Sequence, residues 1–296
     1  MQVGIDSYSY HRRYGEARAG EAPSATDPWS LEPGPVLRHA RATGADIVFL
    51  ETCYLPEPEG IDAAMLAGGG PDVGPGTRVG FSWGHPWPSG RFHGLDGGRW
   101  YGAEQELVRW IDAAARLGHD VLRMTAGSPA SRGDEPAEVL VERLVGPVRR
   151  AVDHAADRGV RLALENHGDL RVRDILALFE AVDRPRTLGV CLDNVNLIRV
   201  GDEMAEGTRA LAPHTLLVQL KDHEAGDPTV WGGPVSTALG EGVADLDGLI
   251  AILAAAGFDG PVCVELASLG PSDVDELAMI ERSVAWLRTH LPAAGG

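Results

Sequence analysis

The sequence predicts an α/β protein built as a single (β/α)8 TIM barrel over residues 1–296. Three observations predict it. Eight short apolar, β-branched runs alternate with longer segments of helical period, the pattern of a parallel sheet. The length suits one closed barrel, which takes about 250 residues. No glycine-rich phosphate turn follows the first run, as a doubly wound open sheet would usually require.

The first run is Val3–Ser7, with a helical segment at 33–43. Asp46–Glu51 (DIVFLE) is the second, and its helix at 57–67 is a poor one that ends in Gly68, Gly69 and Gly70. Arg78–Ser82 leads to 101–117, and Val121–Thr125 leads to 136–158, where the apolar period is clear from Val139 through Val152. Arg161–Glu165 (RLALE) is followed by 171–183, and Leu188–Asp193 (LGVCLD) by 202–212. Leu216–Lys221 (LLVQLK) precedes 245–256, and Pro261–Glu265 (PVCVE) precedes 273–290. In that last segment Leu277, Ile280, Val284 and Leu287 recur at spacings of three and four, one apolar stripe.

Long connections follow the first, third and seventh strands, from Tyr8 to Leu31, Trp83 to Trp100 and Lys221 to Ala244. In a barrel all three lie at the C-terminal face, where loops carry function. They hold five of the seven tryptophans, Trp29, Trp83, Trp87, Trp100 and Trp231. These either pack a small lid core or stack on a ligand. Flat apolar faces beside the polar tips of His11, His85 and His93 fit a sugar ring. Trp83 and His85 (SWGHPW) are therefore candidate substrate contacts.

The net charge of −17 excludes a basic nucleic-acid surface and an anionic membrane surface as partners. Three scattered cysteines exclude a disulfide framework and a zinc knuckle. The start MQVGIDSYSY has no basic stretch leading into an apolar one, and no run approaches the ~18 apolar residues of a membrane span. The expected location is the cytoplasm.

Side chains closing barrel strands converge on one pocket. Glu165, Asp193 and Glu265 close strands five, six and eight, and Gln219 sits near the end of strand seven. Two residues earlier, the same inward faces carry Ala163, Cys191, Leu217 and Cys263, all small or apolar. A polar layer above a packed core is the form of a site. Three buried carboxylates together need a neutralising cation. Glu165, Asp193, Gln219 and Glu265 are the predicted ligands of one divalent metal. Their hard oxygens suit Mn²⁺ first, then Mg²⁺ or Co²⁺, and not zinc. Lys221 holds a substrate oxygen or pairs with Glu241 or Asp193. Glu51, closing the second strand, binds a hydroxyl or balances Arg123.

The stretches LALENHGDL (162–170), GVCLDNVN (189–196), VQLKDH (218–223), ALGEG (238–242) and VCVEL (262–266) resemble the xylose-isomerase-like TIM-barrel superfamily of sugar phosphate isomerases and epimerases. The resemblance covers the whole barrel. It implies that Glu165, Asp193 and Glu265 bind metal, with Gln219 where relatives have His. Asn196 stands where many relatives have a substrate-binding His. By likeness to ketose 3-epimerases, Glu165 and Glu265 double as acid and base. The catalytic subunits of C-glycoside deglycosidases are similar too, and there a His two residues beyond the metal-binding Glu acts as base, which is His167 here. The other reading of His167 is a cap on the helix near Arg171. Endonuclease IV-type relatives use several His ligands, and Gln219, Asn196 and the acidic charge argue against that function.

The expected chemistry is proton abstraction α to a carbonyl of a carbohydrate, giving an enediolate. Isomerisation and epimerisation share that first half with the alternative, a lyase acting on 3-keto-glycosides. A non-catalytic sugar-binding barrel is the third reading. A homo-oligomer or a small partner subunit is the expected assembly.

Overall fold

Alternation of inward and outward side chains makes each of the eight runs a strand, and the strands close on one another. The computed structural model describes residues 1–18, 20–21, 28–67, 77–85, 103–127, 135–227, 234–270 and 274–292. The strands are β1 (Gln2–Asp6), β2 (Ile47–Glu51), β3 (Arg78–Trp83), β4 (Val121–Thr125), β5 (Arg161–Glu165), β6 (Leu188–Asp193), β7 (Thr215–Leu220) and β8 (Pro261–Val264). All neighbouring pairs are parallel, β1 pairs with both β2 and β8, and the barrel is closed.

Around it stand α1 (Gly34–Ala42), α2 (Ala63–Leu66), α3 (Ala103–Arg116), α4 (Ala137–Arg158), α5 (Val172–Val182), α6 (Asn194–Arg199), α7 (Met204–Leu211), α8 (Leu246–Ala255) and α9 (Glu276–His290). In α4 the residues Leu140, Leu144, Val148, Ala151 and Ala155 are buried, three or four apart. The helix stops at Gly159, whose φ of 70° is the left-handed conformation that glycine adopts without strain. α9 starts on Asp275, which accepts from the amides of Leu277 and Ala278.

The core has two parts. The larger lies between strands and helices and includes Val48, Leu50, Phe81, Trp83, Ile111 and Leu144. The smaller fills the barrel and consists of Ile47, Phe49, Val121, Ala163, Cys191, Leu217 and Cys263. The four small or apolar residues expected beneath the strand ends are all in it. Phe49 is its bulkiest member and needs Gly80 beside it, because a Cβ there would meet the ring at 2.5 Å. Gly189 serves the β6–β7 contact in the same way. Its Cβ would lie 2.6 Å from the His214 carbonyl oxygen and 2.5 Å from Leu216 Cγ.

Several elements differ from the sequence reading. The connection after β1 opens with a 3-10 helix, Ser7–Tyr14, fastened to α9 by Arg12 and Arg13 on Glu276 at 2.7 and 2.6 Å. The helix expected at 57–67 shrinks to α2, preceded by a turn at Pro58–Gly60. α6 is an additional helix directly after β6, because the Asp193 carboxylate accepts from Val195 and Asn196 amides. The connection after β7 contains a two-residue antiparallel ribbon, Asp222–His223 against Ser236–Thr237. Trp83 is the last residue of β3 and is fully buried in the larger core, so it belongs to the packing beneath the loops and not to a lid. Trp87, Trp100, Trp231 and His93 lie outside the described residues. No helix among the described residues is long and apolar enough to cross a membrane.

Because a carbonyl oxygen stands where a Cβ would go, Gly189→Ala must push β6 from β7. The expected cost is about 2 kcal/mol. Urea denaturation would check it, and an unchanged midpoint would refute the close approach.

Candidate active site

Strand geometry delivers four buried carboxylates to the C-terminal end of the barrel: Glu51 from β2, Glu165 from β5, Asp193 from β6 and Glu265 after β8. Two protein cations stand among them. Lys221 Nζ lies 2.6 Å from Asp193 Oδ2 and 2.7 Å from Glu265 Oε1. Arg123, from β4, pairs with Glu51 Oε1 at 3.2 Å and with Glu165 Oε2. Of the two partners the sequence offered Lys221, Asp193 is the one it takes. Glu241 pairs with Arg282 instead. Glu51 balances Arg123, as its second reading had it.

Asn196 ties the two halves together. Its amide donates to Glu165 Oε1 at 3.1 Å and to Asp193 Oδ2 at 2.7 Å, and its oxygen accepts from Arg199 at 2.8 Å. Two other asparagines fix the strand ends. Asn166 and the Asp193 backbone exchange two hydrogen bonds of 2.8 Å, and Asn194 and the Lys221 backbone exchange two of 2.9 Å. Each staples neighbouring strands where the ladder stops. Asp222 holds the loop behind Lys221 by accepting from the amides of Gly240, Gly242 and Ala244.

Gln219 is turned the other way. Its oxygen accepts from Cys191 Sγ at 3.2 Å and its amide donates to Asp6 Oδ2 at 2.9 Å. Both ends of the amide are thus engaged toward the barrel interior. Among the described residues no three His, Cys, Asp or Glu side chains are grouped as metal ligands, since Lys221 and Arg123 stand between the acids.

The electrostatics follow from burial. Burial pushes the carboxyl groups of Glu165 and Glu265 above the usual carboxylate range, opposed by Arg123 for the first and Lys221 for the second. Burial raises Glu51 further, again against Arg123. Burial works against the Lys221 charge, but Asp193 and Glu265 outweigh it and hold the ammonium above the ordinary lysine range. His167 is kept neutral by burial and by the charge of Arg123. Its Nδ1 lies 3.0 Å from the Gly127 carbonyl, which accepts the Nδ1 proton and leaves Nε2 as the basic nitrogen. That contact, and not the start of α5, is where the ring is fastened. His85 sits at the rim, its Nε2 2.9 Å from Glu16 and its ring edge-on to Tyr8 at 4.6 Å.

The mouth is lined by Tyr8, Arg18, Glu51, His85, Arg123, His167, Asn196, Arg199, Lys221 and Glu265. Six of these were predicted: Glu51, His85, His167, Asn196, Lys221 and Glu265. Trp83 is not among them. A larger cavity of about 570 Å³ opens at the opposite end of the barrel, around Gln2, Arg78, Asp120 and Arg161. It touches none of the converging carboxylates, so the chemistry belongs to the smaller mouth. The strand-end rule would also have found Asp6, which closes β1. Arg18 and Arg199 gave no such signal, because neither is on a strand.

A family model described as xylose isomerase-like TIM barrel matches residues 83–290. A 3-oxo-isoapionate decarboxylase of Pectobacterium atrosepticum is 26% identical over 149 residues, 50% of this chain and 52% of that protein. The match thus spans about half the length of that relative. An L-ribulose 3-epimerase has the same fold with a TM-score of 0.70 at 17% identity, covering 98% of this chain and 94% of that one. The IolI protein, solved with a zinc atom, superimposes with a TM-score of 0.72 at 14% identity over 100% of both chains.

Asp6 yields a pH test. Burial, with Glu265 adding to it, raises its pKa from 3.8 to about 6. Between those values the folded state binds the extra proton, so stability falls as pH rises through the window and stays reduced above it. Relative to the native protein, Asp6→Asn should gain stability from about pH 4 to pH 6 and level off at up to about 3 kcal/mol. Urea denaturation of both proteins between pH 4 and 7.5 would check this, and a difference that ignores pH would refute it.

Proposed function

The chain belongs to the xylose isomerase-like TIM barrel family, and we propose that it is a sugar isomerase or epimerase that removes the proton α to a carbonyl. The observation that carries the reading is the placement of Glu165 and Glu265 at the two sides of Asp193, joined to it through Asn196 and Lys221. Burial raises both carboxyls above the usual carboxylate range, the direction that suits a general acid or base. One takes the proton and the other returns it. His167, neutral with Nε2 basic, is the alternative base. Lys221 and Asn196 supply donors to the oxygen that gains negative charge. Glu51 and His85 orient hydroxyls at the rim.

A divalent metal belongs to this proposal. Glu165, Asp193 and Glu265 fit it by chemistry: their oxygens are hard, and Glu265 Oε2 is a buried acceptor with no hydrogen-bond partner. Gln219 does not join them, because its amide is engaged with Asp6 and Cys191. Held by these three carboxylates, a divalent ion would supply Lewis acidity to the substrate carbonyl. Mn²⁺ remains the first choice, with Mg²⁺ or Co²⁺ next. The enzyme works in the cytoplasm on a carbohydrate, as a homo-oligomer or with a small subunit.

A second reading is favoured by the decarboxylase relative. The same enolate can arise by loss of carbon dioxide or collapse by expelling a β-substituent, so a decarboxylase or another lyase would use the same residues.

Incubation of ketoses in D₂O with added metal should place deuterium at the carbon next to the carbonyl. Glu165→Gln and Glu265→Gln should each slow exchange by about 100-fold or more. Exchange that survives both changes would overturn the assignment. Elemental analysis should find Mn, Mg or Co in the purified protein, and removing it should abolish exchange; full activity in metal-free protein would remove the ion from the proposal.

A further inference from the structure

We propose that His85, oriented by Glu16, is a second proton carrier of the site: it takes the proton of a substrate hydroxyl and returns it to the neighbouring oxygen, so that the enzyme interconverts a ketose and an aldose. The inference rests on the enolising reading and selects one of its outcomes.

His85 stands two residues beyond the end of β3. Gly84 permits the turn between them. Its φ is 121°, and a Cβ there would collide with Thr125 Oγ1 at the end of β4. The His85 Nε2 lies 2.9 Å from each oxygen of Glu16. Glu16 is held in turn by the hydroxyls of Tyr54 at 2.8 Å and Tyr8 at 3.4 Å. Burial works against the Glu16 charge, but the donors, His85 foremost, outweigh it and hold the carboxyl below the usual carboxylate range. An ionised carboxylate only accepts, so Nε2 carries the ring proton. Burial also outweighs the pull of Glu16 on the imidazole and holds His85 below the ordinary histidine range, so the ring is neutral. That tautomer leaves Nδ1 as the basic nitrogen. Among the described residues Nδ1 has no hydrogen-bond partner, and the side chain is 13% exposed. A carboxylate behind an imidazole fixes its direction and steadies the imidazolium once a proton arrives.

His85 lines the same mouth as His167, Lys221 and Glu265. The site thus holds more proton carriers than carbon exchange needs. Epimerisation removes one carbon-bound proton and returns one to the other face, and Glu165 and Glu265 suffice for it. Ketose–aldose conversion needs a further transfer between two oxygens. One carboxylate takes a proton from the hydroxymethyl carbon. Its electron pair becomes the double bond to the carbonyl carbon, and the carbonyl pair moves onto the oxygen, where Lys221 and Asn196 donate. His85 Nδ1 then takes the proton of the terminal hydroxyl. The pair left on that oxygen forms the aldehyde, and the double-bond pair takes a proton from the carboxyl at the former carbonyl carbon. The imidazolium gives its proton to the former carbonyl oxygen and is neutral again. One proton has passed between carbons through a carboxyl and one between oxygens through His85, with no net oxidation.

Incubation of the metal-loaded protein with D-xylulose, D-ribulose and D-fructose in D₂O, followed by NMR, reads carbon exchange and aldose formation together. The native protein should convert at least one of the three to an aldose. His85→Gln should lower aldose formation by about 100-fold, and by at least about 10-fold more than it lowers deuterium uptake into the recovered ketose. Glu16→Gln should move that ratio in the same direction by a smaller factor. A pair that merely fastens the loop would lower both rates together, and that result overturns the proposal. The native protein decides the matter even if the variants fold poorly. Exchange with a 3-epimer and no aldose as product overturns the proposal and leaves the enolising reading standing. Neither exchange nor aldose from any of the three ketoses removes the enolising reading itself, and the proposal with it.

Discussion

The structure depends on one electrostatic constraint, the neutralisation of buried carboxylates at the C-terminal end of the barrel. Glu51, Glu165, Asp193 and Glu265 are each nearly inaccessible. Removed from water unpaired, such groups would cost several kcal/mol apiece. Lys221 and Arg123 each bridge two of them, so four acids are met by two cations in alternation around the ring. The asparagines complete the arrangement. Asn166 and Asn194 lock the strand ends that carry the acids, and Asn196 fixes the distance between Glu165 and Asp193.

That polar layer is possible because the layer beneath is dry and tightly filled. Phe49, Cys191, Leu217 and Cys263 occupy the barrel centre. Glycines at 80 and 189 make room for the Phe49 ring and for the approach of β7. A low-dielectric floor strengthens every interaction above it. It is also why the carboxyl groups of Glu51, Glu165 and Glu265 hold protons more tightly than in water, and why His167 stays neutral. Packing in one layer thus sets the acid–base character of the next.

An enolising site needs a base, an acid and a positive partner for the developing oxyanion. Glu165, Glu265 and His167 can serve as the first two, and Lys221 as the third.

The sequence by itself determined the barrel and which strand-end carboxylates meet at one end of it. Alternating runs of strand and helix period dictated parallel pairing, and the strand ends identified Glu51, Glu165, Asp193 and Glu265, because position on a strand fixes which way a side chain faces. The same rule placed Ala163, Cys191, Leu217 and Cys263 in the interior. It gave less where local pattern is silent. The helix at 57–67 shortened to Ala63–Leu66, and α6 formed because Asp193 caps it. Only the tertiary structure decided what each polar group does. Strand position put Gln219 at the site's level, but its amide turned to Asp6 and Cys191, partners 213 and 28 residues away. The sequence demanded a cation for the acids and left its identity open. Lys221 and Arg123 meet that demand because folding brings β4, β7 and the neighbouring strand ends within ion-pair distance, a relation that no spacing along the chain records.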